Sequence, residues 1–493
     1  MIQRSSSRAG KPHAYGWWLV VLFVLSLPLI NPWVRGDGVG YYAYARSLVI
    51  DHNLRFEKDW RAANPSFQMA RMDSSGNILP DQYTRTGHIG NHFSVGPAIL
   101  WGPVLIVVHG TVLAFDHFGG HISADGYSRP YLVAMALTTA GYGFLGLWLS
   151  FCIARTYVGE RWAFLATLAI WWASSLPVYM YFNPSWSHAQ SAFSVALFLW
   201  YWNRTRPARP LGQWILLALS AGLMVNVYYP NAILLLAPAT ETLVALRGDA
   251  ADGATRSVPF SRIVGHWIMF GAVLIVAMLP TFITRQIIYG SPFASGYPSV
   301  STWNWTSPVL LQVLFSSDHG LLSWTPILAL AVSGLALLWK RDRILSVSLS
   351  AIVLVYYYFI ASYGDWDGIS SFGNRFFVSL TPIFVIGLAA FFAALADWVA
   401  SQSRAWFAAA ALVGVSILWN VGFMFQWGTH LVPARGSISW EQMVHNQFAV
   451  VPESMAQNFE TYLLRRHSMM QRIEQQDNEH QRAQPSGAVP RQQ

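Results

Sequence analysis

Apolar runs of about membrane-spanning length recur along the whole chain. They fall at 17–34, 95–115, 131–153, 162–182, 189–202, 213–228, 230–246, 263–284, 319–339, 344–362, 375–398 and 406–426. A helix that crosses a bilayer needs about 20 such residues. Charged residues make up only 11% of the 493, and hydrophobic ones 54%. A soluble domain carries roughly 25% charge, because its surface must stay wetted. A soluble enzyme, a disordered chain and a disulfide scaffold are thereby excluded. The runs are continuous rather than alternating, which excludes barrel strands. The expected fold class is all-α, a polytopic helical membrane protein.

Charge placement sets the topology. The net charge of +8 comes from basic residues in short connections between runs, not from a nucleic-acid-binding face. Arg4, Arg8 and Lys11 precede the first run, and no small-residue cleavage site follows it. That run is expected to be an uncleaved helix with its N-terminus in the cytoplasm. Strict alternation over twelve crossings would then put Arg155/Arg161, Arg204/Arg206/Arg209 and Lys340/Arg341/Arg343 outside, against the positive-inside rule. Removing one early crossing repairs every later loop. The run 95–115 contains Pro97, Gly102, Pro103, His109 and Gly110 and is the one to remove, as a helix lying in or re-entering from the outer interface. The expected count is about 11 crossings, with 12 as the alternative.

Residues 1–426 then form the membrane domain. Residues 35–130 form one large outer loop, with an amphipathic segment at Tyr41–Asn53. Residues 427–493 form a polar tail, expected to be disordered from about Gln475. No internal repeat is visible. The single cysteine, Cys152, lies inside an apolar run and serves as core filler rather than a redox or zinc site.

Unusual residues collect at the outer ends of the runs. Asp37 follows the first run in a stretch that includes Tyr41 and Tyr42. His88 and His92 precede 95–115, and His188 stands at the start of 189–202. Asp318 and His319, Asp365 and Asp367, and Arg375 complete the set. Ionisable groups at the edge of apolar helices are costly unless solvated or paired, so a gathering at one surface suggests a site. Each has a plainer role open to it. Asp37 fits a turn among glycines, Arg375 a headgroup anchor, the histidines interfacial hydrogen bonding and the loop acids solvation. His88 and His92 are four apart, but no helix there brings them together as a zinc pair.

Four stretches carry a family resemblance: 37–54, 91–101, Ser316–Pro326 and Ser371–Pro382. With them the chain resembles the GT-C superfamily of integral-membrane glycosyltransferases. Its nearest likeness is to the bacterial protein O-mannosyltransferase type, including the lipid A aminoarabinose transferase. The resemblance implies transfer of a sugar from a polyprenyl-phosphate donor at the periplasmic face of a bacterial inner membrane. The acceptor would be a glycan, a lipid or a protein. Asp37 would act as general base on the acceptor. The departing lipid phosphate calls for a positive charge, and Arg375 is the candidate on its own chemistry, since a guanidinium binds phosphate in a bidentate fork. Tyr41, Tyr42, His92, His188, Asp318, His319, Asp365 and Asp367 would bind substrate. Relatives commonly have lysine where His92 aligns, and the usual second acid of the second outer loop is replaced by His188. A divalent cation is therefore not expected to be required. A transporter or flippase of lipid-linked sugars would instead favour mid-membrane polar residues and repeats. An enzyme like the O-antigen ligases would favour more outer arginines.

Overall fold

The structure is a computed structural model that describes residues 14–206, 209–247, 259–399, 401–433 and 436–483. Arg4, Arg8, Lys11, Arg256 and residues 484–493 lie outside the described residues. The described residues form helices joined by turns and loops, with no strand among them. Two isolated bridges, Met72–Ile78 and Tyr83–Ile89, pin turns in the first outer loop.

The apolar runs become helices, some shortened or split, and three further helices form outside them, at 37–46, 451–464 and 466–483. In order they are α1 (Ala14–Ser26), α2 (Asp37–Arg46), α3 (Gly96–His117), α4 (Arg129–Val158), α5 (Glu160–Trp172), α6 (His188–Thr205), α7 (Leu211–Val227) and α8 (Leu236–Leu246). Then follow α9 (Phe260–Ala277), α10 (Leu279–Tyr289), α11 (Ile327–Leu337), α12 (Arg343–Ser362), α13 (Thr381–Val399), α14 (Gln402–Gly428), α15 (Val451–Leu464) and α16 (Arg466–Ala483). Seven helices among the described residues are long and apolar enough to cross a membrane, and Gly96–His117 is one of them. That helix lies along only part of α4. Trp101 Nε1 donates to Thr139 Oγ1 at 2.9 Å, and His109 Nδ1 is 2.7 Å from the Tyr131 hydroxyl. It therefore runs antiparallel to the first half of α4, and its last turns pass beyond the start of α4.

The arginine-rich connections meet at one end of the bundle. Arg206 Nη2 donates to Asp342 Oδ2 at 2.6 Å, and Arg341 Nη1 to the main-chain oxygen of Tyr157 at 2.6 Å. Arg209 pairs with Glu241 at 3.3 Å, and Trp202 Nε1 donates to the same carboxylate at 2.7 Å. The first outer loop, the 183–188 turn and the loops before α11 and α13 lie at the other end.

Two expectations of the outer region change. The segment starting at Tyr41 is helical, but it is not amphipathic: α2 is buried on nearly all sides from Gly38 to Arg46. Arg46 is tolerated inside because Asp59 (3.1 Å), Asp51 (2.8 Å) and the Asp125 main-chain oxygen (2.9 Å) surround it. A buried charge survives when paired and hydrogen-bonded. The polar tail, expected to be disordered from about Gln475, is helical as far as Ala483.

The central pillar is α13, which α11, α4, α5, α14 and α6 surround. Every residue from Thr381 to Ala390 is buried, as a helix apolar on every side requires, and only its last turn comes out at Trp398 and Val399. Its approach to α11 depends on two glycines. A Cβ at Gly387 would lie 2.1 Å from the Ala331 main-chain oxygen, and one at Gly334 would lie 1.8 Å from the Gly387 oxygen. Small residues let helix backbones touch in this way where no water drives association. Gly387→Leu must therefore force the helices apart. The expected cost is at least the roughly 1–3 kcal/mol typical of overpacking, read as a lowered thermal midpoint in detergent. Gly265→Leu, where a Cβ meets nothing within 4 Å, should leave the midpoint in place. Equal behaviour of the two variants would refute this packing.

Candidate functional site

The site begins at the start of α2. Gly36 adopts φ 53°, a left-handed conformation that glycine takes without strain, and its N–H donates to Asn64 Oδ1 at 3.1 Å. This sharp turn sets Asp37 at the first helical position, where a carboxylate faces the positive helix end. Gly38 and Gly40 have a different task. A Cβ at either would lie 2.0 Å from Ser185 Oγ or 1.9 Å from the Phe93 ring. The glycines let the helix start press against the 183–188 turn and residues 91–93.

Arg375 enters from the opposite direction, on the 3-10 turn Arg375–Leu380 that heads α13. Its Nη1 donates to Asp37 Oδ2 at 2.6 Å. The guanidinium lies 4.5 Å from the Trp186 ring centroid and 5.5 Å from that of Phe376. Trp186 in turn donates from Nε1 to the Arg35 main-chain oxygen at 3.1 Å. Asp37 keeps 34% of its side-chain exposure and Arg375 11%, so the pair stands at a wet boundary.

The pair opens onto a cavity of about 1840 Å³. Its upper wall comes from the first outer loop (Ser66, Arg71, His92), the 183–188 turn, Tyr297, Trp303 and Asp365. Its lower wall comes from apolar helices: Trp172, Ile233, Phe359, Ile360, Val421 and Met424. A ligand with a polar head and an apolar tail matches this gradient better than a fully polar one.

Six of the sequence-selected residues line this cavity: Asp37, Tyr41, His92, His188, Asp365 and Arg375. Burial, and then the charge of Asp37, pushes the Tyr41 hydroxyl far above its ordinary value, so it is a neutral hydrogen-bonding group. The His92 ring stacks against Phe93 at 4.1 Å and meets Tyr297 edge-on at 4.8 Å. Burial pushes its imidazole down to about 4; Asp37 acts upward, while Arg71 and Arg285 act downward. His188 is fully enclosed by Tyr179, Trp186 and Tyr228, and its Nδ1 has no hydrogen-bond partner among the described residues. Ser185 Oγ and both amide atoms of Gln190 share that condition. Buried polar atoms normally find partners, so this group beside the cavity has spare hydrogen-bonding capacity. The Tyr363 hydroxyl donates to Asp365 Oδ2 at 3.2 Å.

The other four lie apart. Tyr42 is fully buried on another face of α2, where its hydroxyl donates to the Gly126 main-chain oxygen at 2.6 Å and its ring meets Trp101 and Tyr127. It is not among the cavity's lining residues. Asp318, His319 and Asp367 gather with one another, also outside the lining. Burial first, and Asp367 second, raise the Asp318 carboxyl to about 6. Burial lowers the His319 imidazole to about 4. His88 lies 3.0 Å from Thr86 Oγ1 in the outer loop, while His92 faces the cavity.

Several residues that shape the site lacked a local signal. Arg285 shapes the site from behind. It donates to the main-chain oxygens of Asn91 (2.8 Å), His92 (2.7 Å) and Phe93 (3.0 Å) and to the Tyr229 hydroxyl (2.8 Å), which fixes the extended segment carrying His92. The helices α15 and α16 close one side with Phe459, Tyr462, Met469, Met470 and Ile473. Arg35 ties α16 down through Asp477 and, at 3.5 Å, Glu474. Glu474 also accepts from Asn64 Nδ2 at 2.8 Å. The signal available in the sequence was the stripe Tyr462, Met469, Met470, Ile473 at near-helical spacing inside a polar stretch.

No protein-family model matches the chain, and no curated protein matches it. Among solved structures the chain is similar to the crystal structure of ArnT from Cupriavidus metallidurans in the apo state. The two share 15% identity at a TM-score of 0.46, over 89% of this chain and 77% of that one.

Proposed function

We propose that the protein is a membrane glycosyltransferase that moves a sugar from a polyprenyl-phosphate donor to an acceptor at the outer face of a bacterial inner membrane. The observation that carries this reading is the Asp37–Arg375 pair at the head of a cavity that turns from polar to apolar. The lipid phosphate sits at Arg375. A guanidinium has five N–H donors in a planar fork, and Asp37 engages only Nη1. The N–H groups of Nη2 and the second one of Nη1 hold the phosphate oxygens, and the polyprenyl chain follows the lower wall.

Asp37 takes the proton of the acceptor hydroxyl or amine as that atom attacks the anomeric carbon. The new bond from acceptor to anomeric carbon forms as the bond from anomeric carbon to phosphate oxygen breaks. The electron pair leaves with the phosphate, whose growing charge Arg375 stabilises. Attack opposite the leaving group inverts the anomeric centre. Tyr41, His188 and Asp365 offer hydrogen bonds to the sugar or acceptor around this axis. The test is sugar transfer by purified protein, from a panel of labelled polyprenyl-phosphate sugars to a membrane lipid extract. Asp37→Asn is expected to bind donor and to lose at least about 10²-fold in rate. Arg375→Lys is expected to weaken donor binding, because it keeps the charge but loses the fork. An Asp37→Asn enzyme as fast as wild type would remove Asp37 from the chemistry.

His92 takes part as a neutral group. With its imidazole held near 4, it carries no charge at neutral pH and offers a hydrogen bond rather than an ion pair. The unfolded chain binds this proton near 6.5 and the folded chain only near 4. The resulting stability is present above about 6.5 and is lost as pH falls toward 4. The thermal midpoint of wild type should therefore fall more steeply than that of His92→Gln between pH 6.5 and 4. Parallel curves would show that His92 is not held neutral.

A further inference from the structure

A second constellation lies behind Arg375. Asp318 and His319 end the loop that follows Leu310–Phe315, and Asp367 belongs to the loop between α12 and Arg375. One ligand atom from each of the three lies within 4.8 Å of the other two. His319 Nδ1 is 3.0 Å from the Asp367 main-chain oxygen and 3.7 Å from Asp318 Oδ1. Ligand atoms about 2.1 Å from one ion stand roughly 3 Å apart in cis and about 4.2 Å apart in trans. The spacing suits a single cation.

Two independent observations go beyond the spacing. Asp318 Oδ1 is sealed from solvent and has no hydrogen-bond partner among the described residues. It shares its surroundings with a second carboxylate, which makes an uncompensated acceptor costlier still. His319 is 1% exposed and holds φ at 59°. A non-glycine residue held in that region costs about 1–3 kcal/mol, and such strain persists where the surroundings impose it. Here it turns the ring in among the two acids.

We propose that Asp318, His319 and Asp367 bind one divalent cation, with the Asp367 main-chain oxygen as a fourth ligand. One imidazole and three oxygens suit Mn²⁺ or Zn²⁺. When the metal takes the Nδ1 lone pair, the ring proton moves to Nε2, so no proton is released by His319. The ion ties the 316–319 turn to the loop leading into α13. Within that loop Asn374 Nδ2 donates to the Trp366 main-chain oxygen at 3.0 Å, and Ser371 Oγ lies 3.0 Å and 2.8 Å from the main-chain oxygens of Asp367 and Gly373. Arg375 follows directly. The cation thus acts by positioning Arg375 and touches no reacting atom.

The test is metal binding by the full-length protein in detergent, stripped with EDTA and titrated with Mn²⁺ while the signal of the free ion is followed by electron paramagnetic resonance. One Mn²⁺ per chain is expected, displaced by Zn²⁺. Trp324, whose ring lies 5.2 Å from that of His319, should report the event in fluorescence. Asp318→Asn and Asp367→Asn should each weaken binding by at least about tenfold. Asp397→Asn, beside Arg341 at the opposite end of the bundle, should not. Binding that survives both ligand substitutions overturns the proposal. If the variants do not fold, the wild-type titration decides alone, and the lack of a stoichiometric Mn²⁺ or Zn²⁺ site overturns it. This readout is independent of sugar transfer, so either reading can fail without the other.

Discussion

The ion pair between Asp37 and Arg375 joins residues 338 positions apart. One side belongs to the first outer loop and the other to the helix at the centre of the bundle. An ion pair at a membrane surface is useful only if both partners are held, because flexible charges separate into water. The chain holds each by packing. Asp37 cannot shift because Gly38 and Gly40 seat α2 against Ser185 and Phe93. Arg375 is held because the turn it starts and the first half of α13 are buried throughout and the guanidinium is capped by Trp186. The rigidity of the core is thereby passed to a partly wet site.

The same logic explains the buried arginines of the outer region. Arg46 and Arg285 are both buried, yet neither lines the cavity. Arg46 binds the start of the loop to Asp59 and to the Asp125 main chain, while Arg285 grips three successive carbonyls at 91–93. Guanidinium groups can satisfy several acceptors at once, which lets one side chain fix a loop lacking regular hydrogen bonding. The segment from 35 to 95 is held to the bundle by such clamps and by aromatic packing. In this way a long polar loop supplies ordered walls rather than a mobile cover.

Sequence made the helices legible and the pairings less so. Every apolar run corresponds to a helical segment, because the cost of unsatisfied backbone in lipid leaves few other forms. Asp37 and Arg375 were recognisable one by one from their place at helix ends. Their contact was not, since nothing local encodes an encounter over 338 positions. Arg46 falls inside the segment read as amphipathic, and its partners Asp59 and the Asp125 main chain lie elsewhere in the sequence. The end of the tail read as disordered because its polar residues outnumber Met469, Met470 and Ile473, although those three suffice to face α16 toward the cavity. Asp318, His319 and Asp367 were noticed as site residues, but their separation from the cavity follows from loop geometry.

That geometry turns on the residues between α12 and α13. Asp365 lines the cavity, and Asp367, two positions on, joins His319 and Asp318. The turn at 364–367, closed by the Gly368 N–H donating to the Asp365 main-chain oxygen at 2.9 Å, sends the two carboxylates apart, and three left-handed residues then lead the chain on to Arg375: Gly368 at φ 75°, Ile369 at 63° and Gly373 at 52°. Two are glycines, which take this conformation freely, but Ile369 is β-branched and pays for it. Its main-chain N–H donates to Asp367 Oδ1 at 3.1 Å, which holds both the turn and the carboxylate. A relaxed loop would let both acids face the same water. The folded one holds them in two environments and delivers Arg375 to the boundary, so the shape of the 363–374 connection determines which charges can act together.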